Sequence, residues 1–220
     1  MKIVAALTDP AHASRAQEQG ADIVELRLDL IDGDPLHIVQ MCKNACSLPV
    51  IATIRSAPEG GQFFGDAKGW FEKIWPVIPL VDYVDVEQRY ASYAPRVKEA
   101  GKTIIASHHA GQMISLHDLF MLERELRTFG DIAKIIVTPV NEEDIIDLIT
   151  FTHAINKPVC TGVMGTQFRY ARAILPLFGS QLVYCSAGPA TASGQYSVEE
   201  FVRLMALLKE TQGSLADEQA

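Results

Sequence analysis

Asp131-Ile132-Ala133-Lys134-Ile135-Ile136-Val137-Thr138-Pro139 reads as a short buried strand with one cation in its middle. Three β-branched residues in a row, inside an apolar run of this length, favour a strand shut away from water. Lys134 is the anomaly. Removing an ammonium from water costs several kcal/mol unless it is paired. The lysine is therefore either a structural ion partner, or one that snorkels past the strand end, or an amine kept partly neutral to attack a carbonyl. With a pKa near ~10.4, an ordinary lysine is free amine about once in a few thousand molecules at pH 7. Lowering that pKa by roughly 2–3 units takes about 3–4 kcal/mol of desolvation or like-charge repulsion, which an apolar strand is expected to supply.

Outward from this strand, short β-like runs alternate with helical stretches along nearly the whole chain. The runs fall at 2–7, 22–28, 49–55, 81–87, 103–108, 132–137, 158–164 and 181–185. Helical segments are expected near 10–19, 36–46, 66–78, 92–100, 115–129, 141–155, 166–177 and 197–210. Ser115 and Asn141 stand where helices should start, and Gly20 and Gly101 where they should stop. Eight β runs, each followed by a helix without a break in composition, predict a single-domain (β/α)₈ barrel over residues 1–210. A polar tail at 211–220 is expected to fray. The competing doubly wound sheet would want a glycine-rich turn after its first strand, where Thr8-Asp9-Pro10 stands instead.

The chain of 220 residues can bury a sizeable core, and its apolar fraction of 48% and charged fraction of 21% are ordinary for a soluble domain. A formal net charge of −8 argues against nucleic acid or an anionic membrane as partner, so an anionic substrate would need its own arginines. Residues 1–10 lack a signal-peptide pattern, and no apolar run is long enough to span a bilayer. Cys42, Cys46, Cys160 and Cys185 do not form a secreted disulfide pattern. A metal site of Cys42, Cys46 and His37 is the lesser reading beside buried thiols. A cytoplasmic protein is expected.

In such a barrel the chemistry sits at the C-terminal ends of the strands, and these ends are polar. In Ile23-Val24-Glu25-Leu26-Arg27-Leu28-Asp29, alternation puts Glu25 and Arg27 on one face and the aliphatic residues on the other. The third strand runs into Arg55-Ser56-Ala57-Pro58-Glu59-Gly60-Gly61, the fourth ends Asp85-Val86-Glu87, and the fifth ends Ser107-His108-His109. Each charge alone reads as a surface strand tip. Four successive polar ends beside Lys134 read as one site, because a purely structural network would have to offset the desolvation of many ions. A histidine there has the right range for a general base, though alternation leaves His108 and His109 both open. Arg172 lies on the helix after the seventh strand, and 187–195 is small and polar enough for a mobile lid. Arg172 and Gln195 are candidates to hold a carboxylate or phosphate.

In their order and spacing these motifs, with Met164-Gly165 and Ala192-Ser193-Gly194-Gln195, make the chain resemble the type I 3-dehydroquinate dehydratases (3-dehydroquinases) of the shikimate pathway. The resemblance runs from the second strand to the last helix. It implies a hydro-lyase that dehydrates 3-dehydroquinate to 3-dehydroshikimate through a lysine Schiff base, without metal or organic cofactor, as a homodimer. It places the Schiff-base lysine on Lys134, the base on His109, and the glutamate that orients it on Glu59. Glu25, Arg27 and Arg55 match positions that hold ring hydroxyls and line the site. Arg172 and Gln195 match the carboxylate-binding positions, and Thr191 a lid hydroxyl that is usually serine. Departures are Phe168 and Ala171 for the frequent glycine and serine, Ser193 for proline, Tyr184 for phenylalanine, and Ala110-Gly111 for a polar-aromatic pair. The rivals are another class I aldolase-type barrel, which would release a small aldehyde, and a non-catalytic barrel that binds a polyhydroxy acid.

Overall fold

The computed structural model describes residues 1–217, with side chains through Leu208. Its strands are β1 Lys2–Leu7, β2 Ile23–Arg27, β3 Val50–Thr53, β4 Tyr83–Glu87, β5 Thr103–His109, β6 Ile132–Val137, β7 Val159–Val163 and β8 Leu182–Ser186. The helices between and after them are α1 Ala13–Glu18, α2 Pro35–Ala45, α3 Ala67–Ile74, α4 Ala94–Glu99, α5 Leu116–Arg127, α6 Glu142–Ala154, α7 Ala171–Ile174 and α8 Val198–Asp217. The strands pair in parallel in the order β7-β6-β5-β4-β3-β2-β1-β8. This is the (β/α)₈ barrel, nearly closed. At the remaining β7–β8 seam, Ser180 Oγ accepts from the Thr161 amide at 3.0 Å, and the Gln181 amide donates to the Val159 carbonyl at 2.8 Å.

Local chemistry explains where the elements start and stop. Ser115 caps α5 by accepting from the Asp118 amide at 3.1 Å, and Asn141 forms a capping box with Asp144 at the start of α6. Two helices stop several residues before their expected ends. Pro76 lacks an amide hydrogen, so α3 ends at Ile74 and continues as a 3₁₀ turn over Trp75–Leu80. Pro176 does the same after α7, leaving four α-helical residues and a 3₁₀ turn over Leu175–Phe178. At the other end α8 runs past the expected stop near 210 to Asp217, and residues 218–220 of the expected tail lie outside the described residues.

Two apolar clusters bind the helix ring to the outer face of the strands, one around β1–β4 and the other around β5–β7. Inside the barrel, toward the N-terminal ends of the strands, Val4, Ile23, Ile51, Ile105, Cys160 and Leu182 make a third. Each fully buried aliphatic side chain contributes roughly 1.5–3 kcal/mol. Above this plug the inward positions turn ionic, with Glu25, Arg55, Asp85, Glu87 and Lys134 all buried.

Candidate active site

Alternation along each strand carries the charged side chains into the barrel mouth. Arg55, just beyond β3, is the hub. Its Nη1 donates to Glu87 Oε1 at 2.9 Å and Ser107 Oγ at 3.0 Å, and lies 3.3 Å from Glu59 Oε2. Its Nη2 donates to Asp85 Oδ1 at 2.9 Å. Burial would lower the guanidinium's pKa, but Asp85, Glu87 and Glu59 raise it further and keep the charge.

Lys134 Nζ donates to Asp85 Oδ2 at 3.1 Å, lies 3.8 Å from Glu25 Oε1, and sits over the Tyr184 ring at 3.9 Å from its centre. These surroundings correct the expectation of an apolar pocket. The strand's aliphatic residues Ala133, Ile135 and Val137 pack against the helices, while the inward face meets carboxylates from β4 and β2. Asp85 is also held by Ser107 Oγ at 2.5 Å. Burial alone would raise its pKa; Arg55 and Lys134 outweigh that and hold it below the ordinary carboxylate range. Glu25 accepts from Thr53 Oγ1 at 2.8 Å.

Glu59 reaches the mouth because the chain folds sharply after Arg55. The Phe63 amide bonds back to the Arg55 carbonyl at 3.1 Å, and the Gly61 amide to the Ser56 carbonyl at 2.9 Å. Gly60 takes φ +84°, and a Cβ on Gly61 would lie 2.1 Å from the Arg55 carbonyl oxygen, so both glycines are needed. Glu59 Oε2 thereby meets His109 twice, at Nδ1 (2.9 Å) and at the backbone amide (3.1 Å). Burial pushes the Glu59 carboxyl up to about 8, against the pull of Arg55 and with repulsion from Glu87 and Asp85. Burial also carries His109 well below its ordinary value, helped by the positive charges of Arg55 and Lys134, so the imidazole is neutral at pH 7. His108 lines a second, surface recess with Pro58, Gln88 and Arg89, which Glu59 and His109 also border, and its Nδ1 stands 4.0 Å from Glu59 Oε1.

One cavity of about 130 Å³ gathers Glu25, Arg27, Arg55, Glu59, His109, Lys134, Arg172, Thr191 and Gln195, the residues that the resemblance assigned to the site. Arg27 is clamped by Asp29 through two bonds of 2.9 and 2.8 Å. Arg172 differs: among the described residues it has no carboxylate partner, and it donates to the Ser193 carbonyl at 3.2 Å. Arg169 reaches the Gly194 and Gln195 carbonyls, so two arginines bind the 187–195 segment to the loop after β7. Within that segment Gln195 Oε1 accepts from the Thr191 amide at 3.0 Å and from its hydroxyl at 3.2 Å. Asp85 and Ser107 were visible in the sequence as polar strand ends but not as partners of the lysine. Tyr184 was visible as a departure from phenylalanine.

The arrangement offers an amine, a neutral imidazole oriented by a carboxyl, and an unpaired guanidinium around one space. Such a set can form and deprotonate an imine of a carboxylate-bearing ketone. Residues 6–212 match the family model described as Type I 3-dehydroquinase. The 3-dehydroquinate dehydratase of Methanoregula boonei is 63% identical over 208 residues, covering 94% of this chain and all of that protein. That of Methanospirillum hungatei is 41% identical, covering 94% of this chain and 81% of the relative. Among solved structures, the 3-dehydroquinate dehydratase from Aquifex aeolicus VF5 superposes with a TM-score of 0.81 at 30% identity, covering 93% of this chain and 97% of that one. The chain belongs to the type I 3-dehydroquinase family.

Proposed function

We propose that this protein dehydrates 3-dehydroquinate to 3-dehydroshikimate, with Lys134 as Schiff-base former and His109 as base. The observation that carries the reading is the shared cavity, into which Lys134, the His109–Glu59 pair and the unpaired Arg172 all project. Arg172 and Gln195 receive the substrate carboxylate under the 187–195 segment, with Thr191 beside them. Glu25, Arg27 and Arg55 line the opposite wall, where the ring hydroxyls lie.

Lys134, as the free amine, adds to the C3 ketone, and loss of water gives an iminium. The iminium withdraws electrons from C2, so its proton becomes acidic enough for an imidazole to remove. His109 has one nitrogen on Glu59, which leaves Nε2 for this step. The 2.9 Å contact holds the pair in one of two tautomers. With the proton on Nδ1 and the charge on Glu59, Nε2 is a free base; with the proton on Glu59, Nε2 carries hydrogen and is inert. Collapse of the enamine expels the C1 hydroxyl, which takes the proton from His109 and leaves as water. Hydrolysis of the imine releases the product. Lys134 supplies the electron sink that an organic cofactor would otherwise provide. Holding the carboxylate at Arg172 aligns the C2–H bond with His109 and lowers the entropic part of the barrel enzyme's barrier.

The reading carries with it the homodimer and the cytoplasmic location expected from the sequence. Four free cysteines suit a reducing compartment, and no helix among the described residues is long and apolar enough to cross a membrane. Growth of the conjugated enone's ultraviolet absorbance on adding 3-dehydroquinate tests the reaction. Borohydride added with the substrate should fix one ligand mass on Lys134; a full adduct persisting in Lys134→Ala overturns the assignment.

A further inference from the structure

The cavity is polarised. Its lining acids, Glu25 from β2 and Glu59 from the loop after β3, are backed through Arg55 and Lys134 by Asp85 and Glu87 of β4, whereas Tyr184 and Arg172, which has no carboxylate partner among the described residues, lie on the β7–β8 side. At that side the seam between β7 and β8 opens a small recess walled by Ile136, Cys160, Gly162 and Leu182, and Arg172 and Tyr184 line both it and the main cavity. The recess is mostly apolar, yet two buried polar atoms on its lining residues have no hydrogen-bond partner among the described residues: Tyr184 Oη and Arg172 Nε. Buried donors left unpaired cost about 1–3 kcal/mol each, which a protein seldom tolerates without a ligand to satisfy them.

Both orphans are hydrogen donors. Burial, with Glu25, Cys160 and Asp85 nearby, raises the phenol well above its ordinary value, so Tyr184 keeps its proton at any physiological pH. Its ring is fixed by the Lys134 ammonium over its face, at 3.9 Å. Two donors call for an acceptor, and the neighbouring uncompensated guanidinium calls for that acceptor to be anionic.

We propose that Tyr184 Oη and Arg172 Nε together hold one oxygen of the substrate's carboxylate, which makes Tyr184 a further substrate-binding residue of this chain. The proposal rests on the dehydratase reading above and adds to it a contact that a phenylalanine at this position cannot make. Tyr184 Oη binds the carboxylate in the ground state and the transition state alike, so it acts on KM and not on kcat.

Tyr184→Phe is the test, because it removes the hydroxyl and keeps the ring over Lys134. KM for 3-dehydroquinate should rise about tenfold or more, with kcat within about twofold of wild type. Arg172→Lys should also raise KM, and the double variant should lose less than the product of the two single effects, since both donors serve one oxygen. KM unchanged in Tyr184→Phe, or independent effects in the double variant, overturns the proposal. A fall in kcat with KM unchanged also overturns it, by moving the hydroxyl's partner to a reacting oxygen. Borohydride trapping at Lys134 is run on the same proteins. If wild type neither turns over nor traps, the dehydratase reading has failed, and calorimetry with quinate and its primary amide decides the carboxylate contact separately. Tyr184→Phe should then weaken quinate and leave the amide unchanged; equal weakening of both counts against it.

Discussion

The two ends of the barrel interior are built from opposite materials. Toward the N-terminal ends of the strands, six buried apolar residues fill the space without a polar atom to satisfy except the Cys160 thiol. Toward the C-terminal ends, four carboxyls (Glu25, Glu59, Asp85, Glu87) face two cations (Arg55, Lys134) inside a space nearly closed to water. Apolar burial stabilises in proportion to area, whereas buried ions recover their desolvation only with good geometry. The contrast shows a division of labour in one closed sheet. The plug holds the barrel, and the ionic end brings the Lys134 amine and the His109 imidazole to one cavity at a cost in stability.

The comparison breaks first at Lys134. Lys134→Ala should lower turnover at least about ten-thousandfold, because among the described residues no other lysine lines the cavity to form the imine. His109→Ala should lower kcat by about a thousandfold while still forming the borohydride-trappable imine. If turnover stays near wild type in His109→Ala, the base lies elsewhere, and the ionic end is structural at that corner.

Stability separates the two ends next. Arg55→Met removes the partner shared by Asp85, Glu87 and Glu59, and should destabilise by roughly 3–5 kcal/mol at neutral pH, measured by urea unfolding. Ile51→Ala in the plug should cost roughly 2–5 kcal/mol with kcat within about twofold of wild type. A large fall in kcat for Ile51→Ala would erase the distinction between the ends.

How far this could be read in the sequence follows from the range over which each contact acts. The β6 strand was legible with its bounds, since periodicity and β-branching act within a few residues. Glu25 and Arg27 were legible as inward residues for the same reason. The partner of Lys134 was not. Asp85 is 49 positions away, and it meets the lysine only because β4, β5 and β6 lie side by side. A local reading therefore supplied an apolar pocket where folding builds an ionic one. Glu59 lies 50 positions from His109, and only the resemblance joined them. The short α3 and α7 are a different kind of miss, because Pro76 and Pro176 were in plain view inside the expected helices.

The excess of acid at the ionic end gives a pH dependence of definite sign. Glu59 has a folded pKa of about 8, above the ordinary value of 4.5. Between these values the folded protein binds the proton that the unfolded chain has released, so this group's contribution to stability falls as pH rises from about 4.5 to 8. Asp85 has the opposite sign. Its carboxyl is depressed, so its contribution is present above its unfolded value of 3.8 and is lost as pH falls through the folded one. Glu59→Gln should remove the decline between pH 4.5 and 8 in unfolding experiments; an unaltered decline assigns the proton to another carboxyl. Because a proton on Glu59 leaves His109 Nε2 unable to act as base, the acid limb of kcat/KM should follow the Glu59 carboxyl toward about 8.

The smallest expected effect belongs to His108, and it shows how sharply the boundary of the site is drawn. His108 and His109 are adjacent on one strand, so alternation sends them to opposite sides of the sheet. His109 is locked by two contacts to Glu59 Oε2, at 2.9 and 3.1 Å, whereas His108 Nδ1 stands 4.0 Å from Oε1, beyond hydrogen-bond range. The ring of His108 is 31% exposed against 12% for its neighbour, and partial burial lowers its pKa from the ordinary histidine value, so at neutral pH it brings no charge to Glu59. His108→Ala should therefore change kcat by less than about threefold and leave KM alone, while His109→Ala stalls the reaction. A comparable loss in both variants would mean that Glu59 is held in place from both sides, and the ionic end would then reach through the sheet to the outer recess.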